Sequence, residues 1–62
     1  KTINEFITET RMEAAKLLLH KQDIRFYEIS GMVGISDPNY FSTIFKKYTG
    51  LSPSEYREKF CL

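Results

Sequence analysis

Between Val33 and Asn39 the chain carries a helix stop and a helix start a few residues apart, and that juxtaposition limits its folding more than any other feature. Gly34 follows an apolar helical pattern at the position where a left-handed backbone ends a helix, a conformation glycine adopts without strain. Asp37 then offers a carboxylate to the amides of a new helix. Pro38 occupies the first helical position, where a missing amide hydrogen is no loss.

The same punctuation recurs along the chain. Thr2-Ile3-Asn4-Glu5 is a capping box, which predicts a helix over 3–20. Phe6, Ile7, Met12, Ala15, Leu18 and Leu19 mark its apolar face, with Glu5, Glu9, Glu13 and Lys16 on the wet side and Glu13 paired to Lys16. Lys21-Gln22-Asp23 reads as a turn, with Asp23 placed to cap a second helix over 24–33 whose Phe26, Ile29, Met32 and Val33 share a face. Gly31 inside it costs about 1 kcal/mol relative to alanine, so this helix depends on packing. A third helix, over 37–49, stops at Gly50 and buries Phe41, Ile44, Phe45 and Tyr48 at helical spacing. Ser52-Pro53-Ser54-Glu55 is a second capping box, opening a last helix that runs to about Phe60. Neither strand alternation nor repeats are present, so the expected fold is all-α, with four helices.

Sixty-two residues make one small domain. A hydrophobic share of 42% excludes a disordered segment. No apolar run approaches the roughly 20 residues of a membrane span. The single cysteine, Cys61, allows no internal disulfide and suits a reducing cytoplasm. Nine basic and eight acidic residues exclude binding of nucleic acid by bulk charge. No catalytic triad, paired carboxylate site, phosphate loop or metal cluster stands out, so neither enzyme chemistry nor a cofactor is expected. His20 has no second ligand at metal spacing and reads as a cap or surface residue. The chain starts at Lys1 without a methionine or signal pattern, which points to a piece of a longer protein.

Opposite its apolar stripe, the third helix carries Asn39, Ser42, Thr43 and Lys46. Short hydrogen-bonding side chains followed by lysines suit a DNA groove, with polar tips toward base edges and cations toward phosphates. Taken alone, the stretch favours an ordinary wet face. Helices over 24–33 and 37–49, joined by a turn on Gly34, have the form of a helix-turn-helix unit, in which the second helix enters the major groove.

Arg11-Met12-Glu13-Ala14-Ala15-Lys16-Leu17-Leu18-Leu19, Glu28-Ile29, Val33-Gly34, Asp37-Pro38-Asn39-Tyr40-Phe41-Ser42, Phe45-Lys46-Lys47, Gly50 and Ser52-Pro53-Ser54-Glu55-Tyr56-Arg57 together resemble the C-terminal signature of the AraC/XylS transcription regulators. Tyr27-Glu28-Ile29 and the Asp-Pro-Asn-Tyr-Phe run look most like the YesN-like response-regulator subgroup. The resemblance implies a connecting helix (2–20), the second of two helix-turn-helix units (24–50) in homeodomain-like three-helix packing, and a terminal helix (52–62). It assigns base edges to Asn39, Ser42 and Thr43, with Pro38 at the tip of the helix, and the candidates for phosphate contacts are Arg25, Ser36, Tyr40, Lys46 and Lys47. Free amides at Pro38-Asn39 could also take a phosphate. The implied partners are double-stranded DNA and a receiver or sensor domain in the parent chain. The alternative is a protein-interaction module that meets RNA polymerase through the last two helices.

Arg11 and Arg57 read as structural arginines bonding carbonyls or a carboxylate, and Cys61 takes no role. The chain departs from the family at Ser30, where alanine is usual and the hydroxyl is expected to bond the carbonyl four residues back. It departs again at Ile35, which replaces an aromatic.

Overall fold

Each helix begins where a side chain or a carboxylate takes over an orphan amide. The computed structural model describes residues 2–61 and contains α1 (Ile3–Leu19), α2 (Phe26–Met32), α3 (Pro38–Thr49) and α4 (Pro53–Phe60), with no strand among the described residues. Lys1 and Leu62, the ends of the expected domain, lie outside them. The Thr2 hydroxyl accepts from the Glu5 amide at 3.1 Å. Asp37 accepts from the Asn39 amide at 3.0 Å. Ser52 accepts from the Glu55 amide at 3.2 Å, while its own amide donates to the Glu55 carboxylate at 2.9 Å.

The start of α2 differs from expectation. Asp23 is not its cap. The Ile24 amide bonds back to the Lys21 carbonyl at 3.3 Å, so Asp23 is used up inside a separate turn. Arg25, in an extended conformation, becomes the N-cap, and its amide donates to the Glu28 carboxylate at 3.0 Å.

Two bonds close the other end of α2, from Gly34 to the Gly31 carbonyl at 3.1 Å and from Ile35 to the Ser30 carbonyl at 2.9 Å. Together they form the six-residue C-terminal lock that places Gly34 at φ 87°. An added Cβ at Gly34 would also come within 3.4 Å of the Arg11 guanidinium. Ser30 is fully buried, and its hydroxyl donates across the turn to the Ile35 carbonyl, not to the carbonyl four residues back. Residues 30 and 35 therefore exchange two hydrogen bonds, which satisfies the buried hydroxyl and stiffens the turn. Gly50, at φ 84°, ends α3 with its amide on the Lys46 carbonyl at 2.8 Å.

The core consists of Met12, Ala15 and Leu19 from α1, Ile29 and Val33 at α2, Ile35 from the turn, Phe41 and Phe45 from α3, and Cys61. Phe45 is its hub. Its ring centroid lies 5.8 Å from that of Phe41 and 5.5 Å from that of Tyr56, the latter edge-on.

Four residues expected in the core are exposed. Met32 is 60% exposed because α2 turns residues 26, 29, 30 and 33 inward, which leaves Met32 to the side. Tyr48 is 38% exposed, at the open side of a cleft that it lines with Glu9, Met12, Glu13 and Lys16 of α1. Phe6, 62% exposed, and Ile7 lie on the opposite side of α1 from Met12, Ala15 and Leu19, together with Ile3 and Leu17. Thus α1 has two apolar faces, of which only one is covered.

Two arginines join distant segments, as expected of structural arginines. Arg57 of α4 donates through Nε to the Leu19 carbonyl at 2.9 Å and through Nη2 to the Lys21 and Ile24 carbonyls at 2.8 Å each. Its guanidinium also lies 4.8 Å from the Phe26 ring centroid. Arg11 reaches toward the Gly34 carbonyl at 3.5 Å. His20 caps α1 and meets Tyr56 edge-on at 6.3 Å, while Lys16 pairs with Glu13 at 2.8 Å.

The backbone and hydroxyl bonds from Ser52, with a smaller pull from Lys46, hold the Glu55 carboxyl below its usual range. A depressed pKa contributes stability that is complete above the ordinary carboxylate value and is lost as pH falls through the folded value. Melting of Glu55→Gln, whose side chain does not titrate, is therefore expected to weaken less than the parent between about pH 6 and pH 3. Parallel melting curves for the two would contradict this account.

Candidate nucleic-acid interface

The burial of Phe41 and Phe45 orients α3. With those rings turned inward, Pro38, Asn39, Thr43, Lys46 and Lys47 are exposed and Ser42 is half-buried beside them. Residues 38, 42 and 46 form one row and 39, 43 and 47 the adjacent row, at the four-residue spacing of neighbours on a helix surface. From Asn39 to Lys46 this face extends about 10 Å along the axis. No acidic residue interrupts it between Asp37 and Gly50.

The hydrogen bonds determine which polar atoms remain for a ligand. The Thr43 hydroxyl donates to the Asn39 carbonyl at 3.1 Å, so its methyl and its lone pairs are what it presents outward. The expectation of free amides at Pro38-Asn39 is corrected. Proline has no amide hydrogen, and the Asn39 amide is held by the Asp37 carboxylate, which also sets a negative charge at the helix tip. Neither Pro38 nor Asn39 therefore offers a free amide to a ligand.

The residues assigned to phosphates do not form one cluster. Ser36 and Tyr40 line an open cleft of about 430 Å3 together with Arg11, Gly34, Ile35 and Asp37. Lys46 and Lys47 lie at the other end of α3, with Glu55 of α4 close enough to Lys46 for the lysine to act on its titration. Arg25 stands apart, exposed at the head of α2. Sequence reasoning did not place Arg11 in this cleft, because the contact spans 23 positions and no local pattern signals it. Among the described residues no group of three or more His, Cys, Asp or Glu could hold a metal ion, and no helix is long and apolar enough to cross a membrane.

A helix-turn-helix domain model matches residues 1–59. The transcriptional regulatory protein YesN of Bacillus subtilis is 45% identical over 58 residues, which cover 90% of this chain and 16% of that protein. The HTH-type transcriptional regulator YijO of Escherichia coli is 44% identical over 57 residues, 92% of this chain and 20% of that protein. The HTH-type transcriptional activator RhaR of Salmonella arizonae is 39% identical over 56 residues, with 90% and 20% covered. The chain therefore spans a fifth or less of the length of these relatives. The crystal structure of the C-terminal domain of the two-component response regulator YesN from Fusobacterium nucleatum matches with a TM-score of 0.88 and 44% identity, covering 92% of this chain and 55% of that one. The match takes in the turn at Gly34, the capped α3 and the Ser52 capping box, and the chain belongs to the AraC-type helix-turn-helix family of transcription-regulator DNA-binding domains.

Proposed function

We propose that this chain is the second of two helix-turn-helix units in a bacterial transcription activator, and that α3 enters the major groove of double-stranded DNA. The observation that carries the reading is the uninterrupted polar and cationic face of α3 opposite buried Phe41 and Phe45. Pro38, Asn39, Ser42 and Thr43 meet base edges, while Arg25, Ser36, Tyr40, Lys46 and Lys47 meet phosphates. Asparagine can hold adenine through two hydrogen bonds, whereas serine and threonine accept several bases. The unit is thus a modest reader.

The two-unit reading rests on the uncovered face of α1, where Ile3, Phe6, Ile7 and Leu17 offer a partner unit an apolar stripe. The solved YesN domain, of which this chain covers 55%, is long enough to contain one. In this view α1 connects the two units, and the parent chain adds a receiver or sensor domain and works in the cytoplasm. Exposed Phe60 of α4 supports a second reading, a contact with RNA polymerase through the last two helices.

The test is Asn39→Ala in a binding selection on randomised duplexes. The preference at the adenine position should fall by about 1–3 kcal/mol, with binding to unrelated DNA nearly unchanged. A uniform loss across all sequences would remove Asn39 from base readout.

A further inference from the structure

Arg25 and Arg57 are 32 positions apart, yet the hydrogen bonds link them through one peptide unit. The carbonyl of that unit belongs to Ile24 and accepts from Arg57 Nη2 at 2.8 Å. Its N–H belongs to Arg25 and donates to the Glu28 carboxylate at 3.0 Å. The next peptide unit is held as well, because the Arg25 carbonyl accepts from the Glu28 and Ile29 amides, each at 3.0 Å. With both flanking peptide planes held, the direction of the Arg25 Cα–Cβ bond is set, and only the side-chain torsions stay free.

Arg57 is suited to this hold. Its Nε and Nη2 also grip the Leu19 and Lys21 carbonyls, and its plane lies over Phe26, so three contacts besides Ile24 fix the guanidinium. The fork geometry of arginine makes this possible, and a lysine, with one ammonium on a flexible stem, cannot bridge three carbonyls in the same way. Arg57 is only half-buried, but all the hydrogen bonds recorded for it go to backbone carbonyls.

We propose that Arg57 is a positioning residue for DNA binding: from α4 it fixes the Ile24–Arg25 peptide so that Arg25 projects toward a backbone phosphate. The inference rests on the reading of Arg25 as a phosphate contact. A side chain with a preset origin loses less conformational freedom on binding than one carried on a loose turn. Substitution of Arg57 therefore costs the phosphate contact made by Arg25, although Arg57 itself touches no DNA.

The experiment measures the salt dependence of binding to a short mixed-sequence duplex for the parent, Arg25→Ala, Arg57→Lys and the double variant, with folding checked by thermal melting. Arg25→Ala should lower the magnitude of the slope of log K against log salt by about 0.9, the value of one phosphate. Arg57→Lys keeps the positive charge, so it should lower the slope by a comparable amount only if it displaces Arg25, and the double variant should match Arg25→Ala alone. A purely structural Arg57 would reduce melting temperature and affinity together with the slope unchanged, or add its loss to that of Arg25→Ala. Either result overturns the proposal. An unchanged slope in Arg25→Ala overturns the reading of Arg25 and the proposal with it, whereas a lowered slope there beside a normal slope in Arg57→Lys overturns the proposal alone.

Should Arg57→Lys fail to fold, Glu28→Ala removes the acceptor at the other end of the same peptide. It removes a negative charge, which by itself would steepen the slope, so a shallower slope supports the positioning role and an equal or steeper one contradicts it.

Discussion

Phe45→Ala should leave the chain without a cooperative melting transition above room temperature. Its ring is fully buried between Phe41 and Tyr56 and joins α3 to α4. Truncating a buried phenylalanine costs about 3–5 kcal/mol. At about 0.05–0.15 kcal/mol per residue, a chain of this length holds only about 3–9 kcal/mol in all. The loss is thus comparable with the whole stability. For domains of this size each kcal/mol lowers the melting temperature by about 4–8 °C. Thermal melting followed by circular dichroism checks this, with Tyr48→Ala as the control. Periodicity alone puts both aromatics on one stripe, but Tyr48 is partly exposed and its truncation should cost far less. Equal losses would mean that the last turn of α3 is packed more closely than described.

The second large effect concerns DNA. Lys46→Ala combined with Lys47→Ala removes both cations at the end of α3. Each phosphate contact contributes about 0.9 to the slope of log K against log salt, so the double variant should lose up to about 1.8 from that slope. Between about 50 and 200 mM salt, two such contacts account for roughly a tenfold change in affinity. Binding titrations across that range should show the parent weakening about tenfold more than the variant. If affinity and slope are both untouched, α3 does not dock as proposed.

The parts of this fold visible in the sequence are those determined within a few residues. Thr2 with Glu5 and Ser52 with Glu55 are read correctly because capping is a contact between neighbours, and Gly34 and Gly50 because a positive φ shows itself in residue type. What failed needed the third dimension. Periodicity puts Phe6 and Ile7 on one face with Met12, since hydrophobicity does not say which of two faces of a helix the body covers. Asp23 is a good capping residue displaced by a competing turn, and the Ser30 hydroxyl took a partner across that at Gly34.

The candidate site divides the same way. The rows 38, 42, 46 and 39, 43, 47 follow from helical spacing. The Arg11 cleft, the nearness of Glu55 to Lys46 and the Arg57 grip on Ile24 arise between elements that sequence does not place side by side.

The most direct test of the central claim follows backbone amide shifts of nitrogen-15-labelled protein during titration with a DNA duplex, which reports weak binding and needs no known target site. With α3 in the groove, the largest shifts should fall on Asn39 to Thr43 and Lys46 to Lys47, with smaller ones at Arg25 and little change at Phe6, Ile7 and Phe60. Largest shifts at Phe60 or along the outer face of α1, with α3 silent, would contradict it.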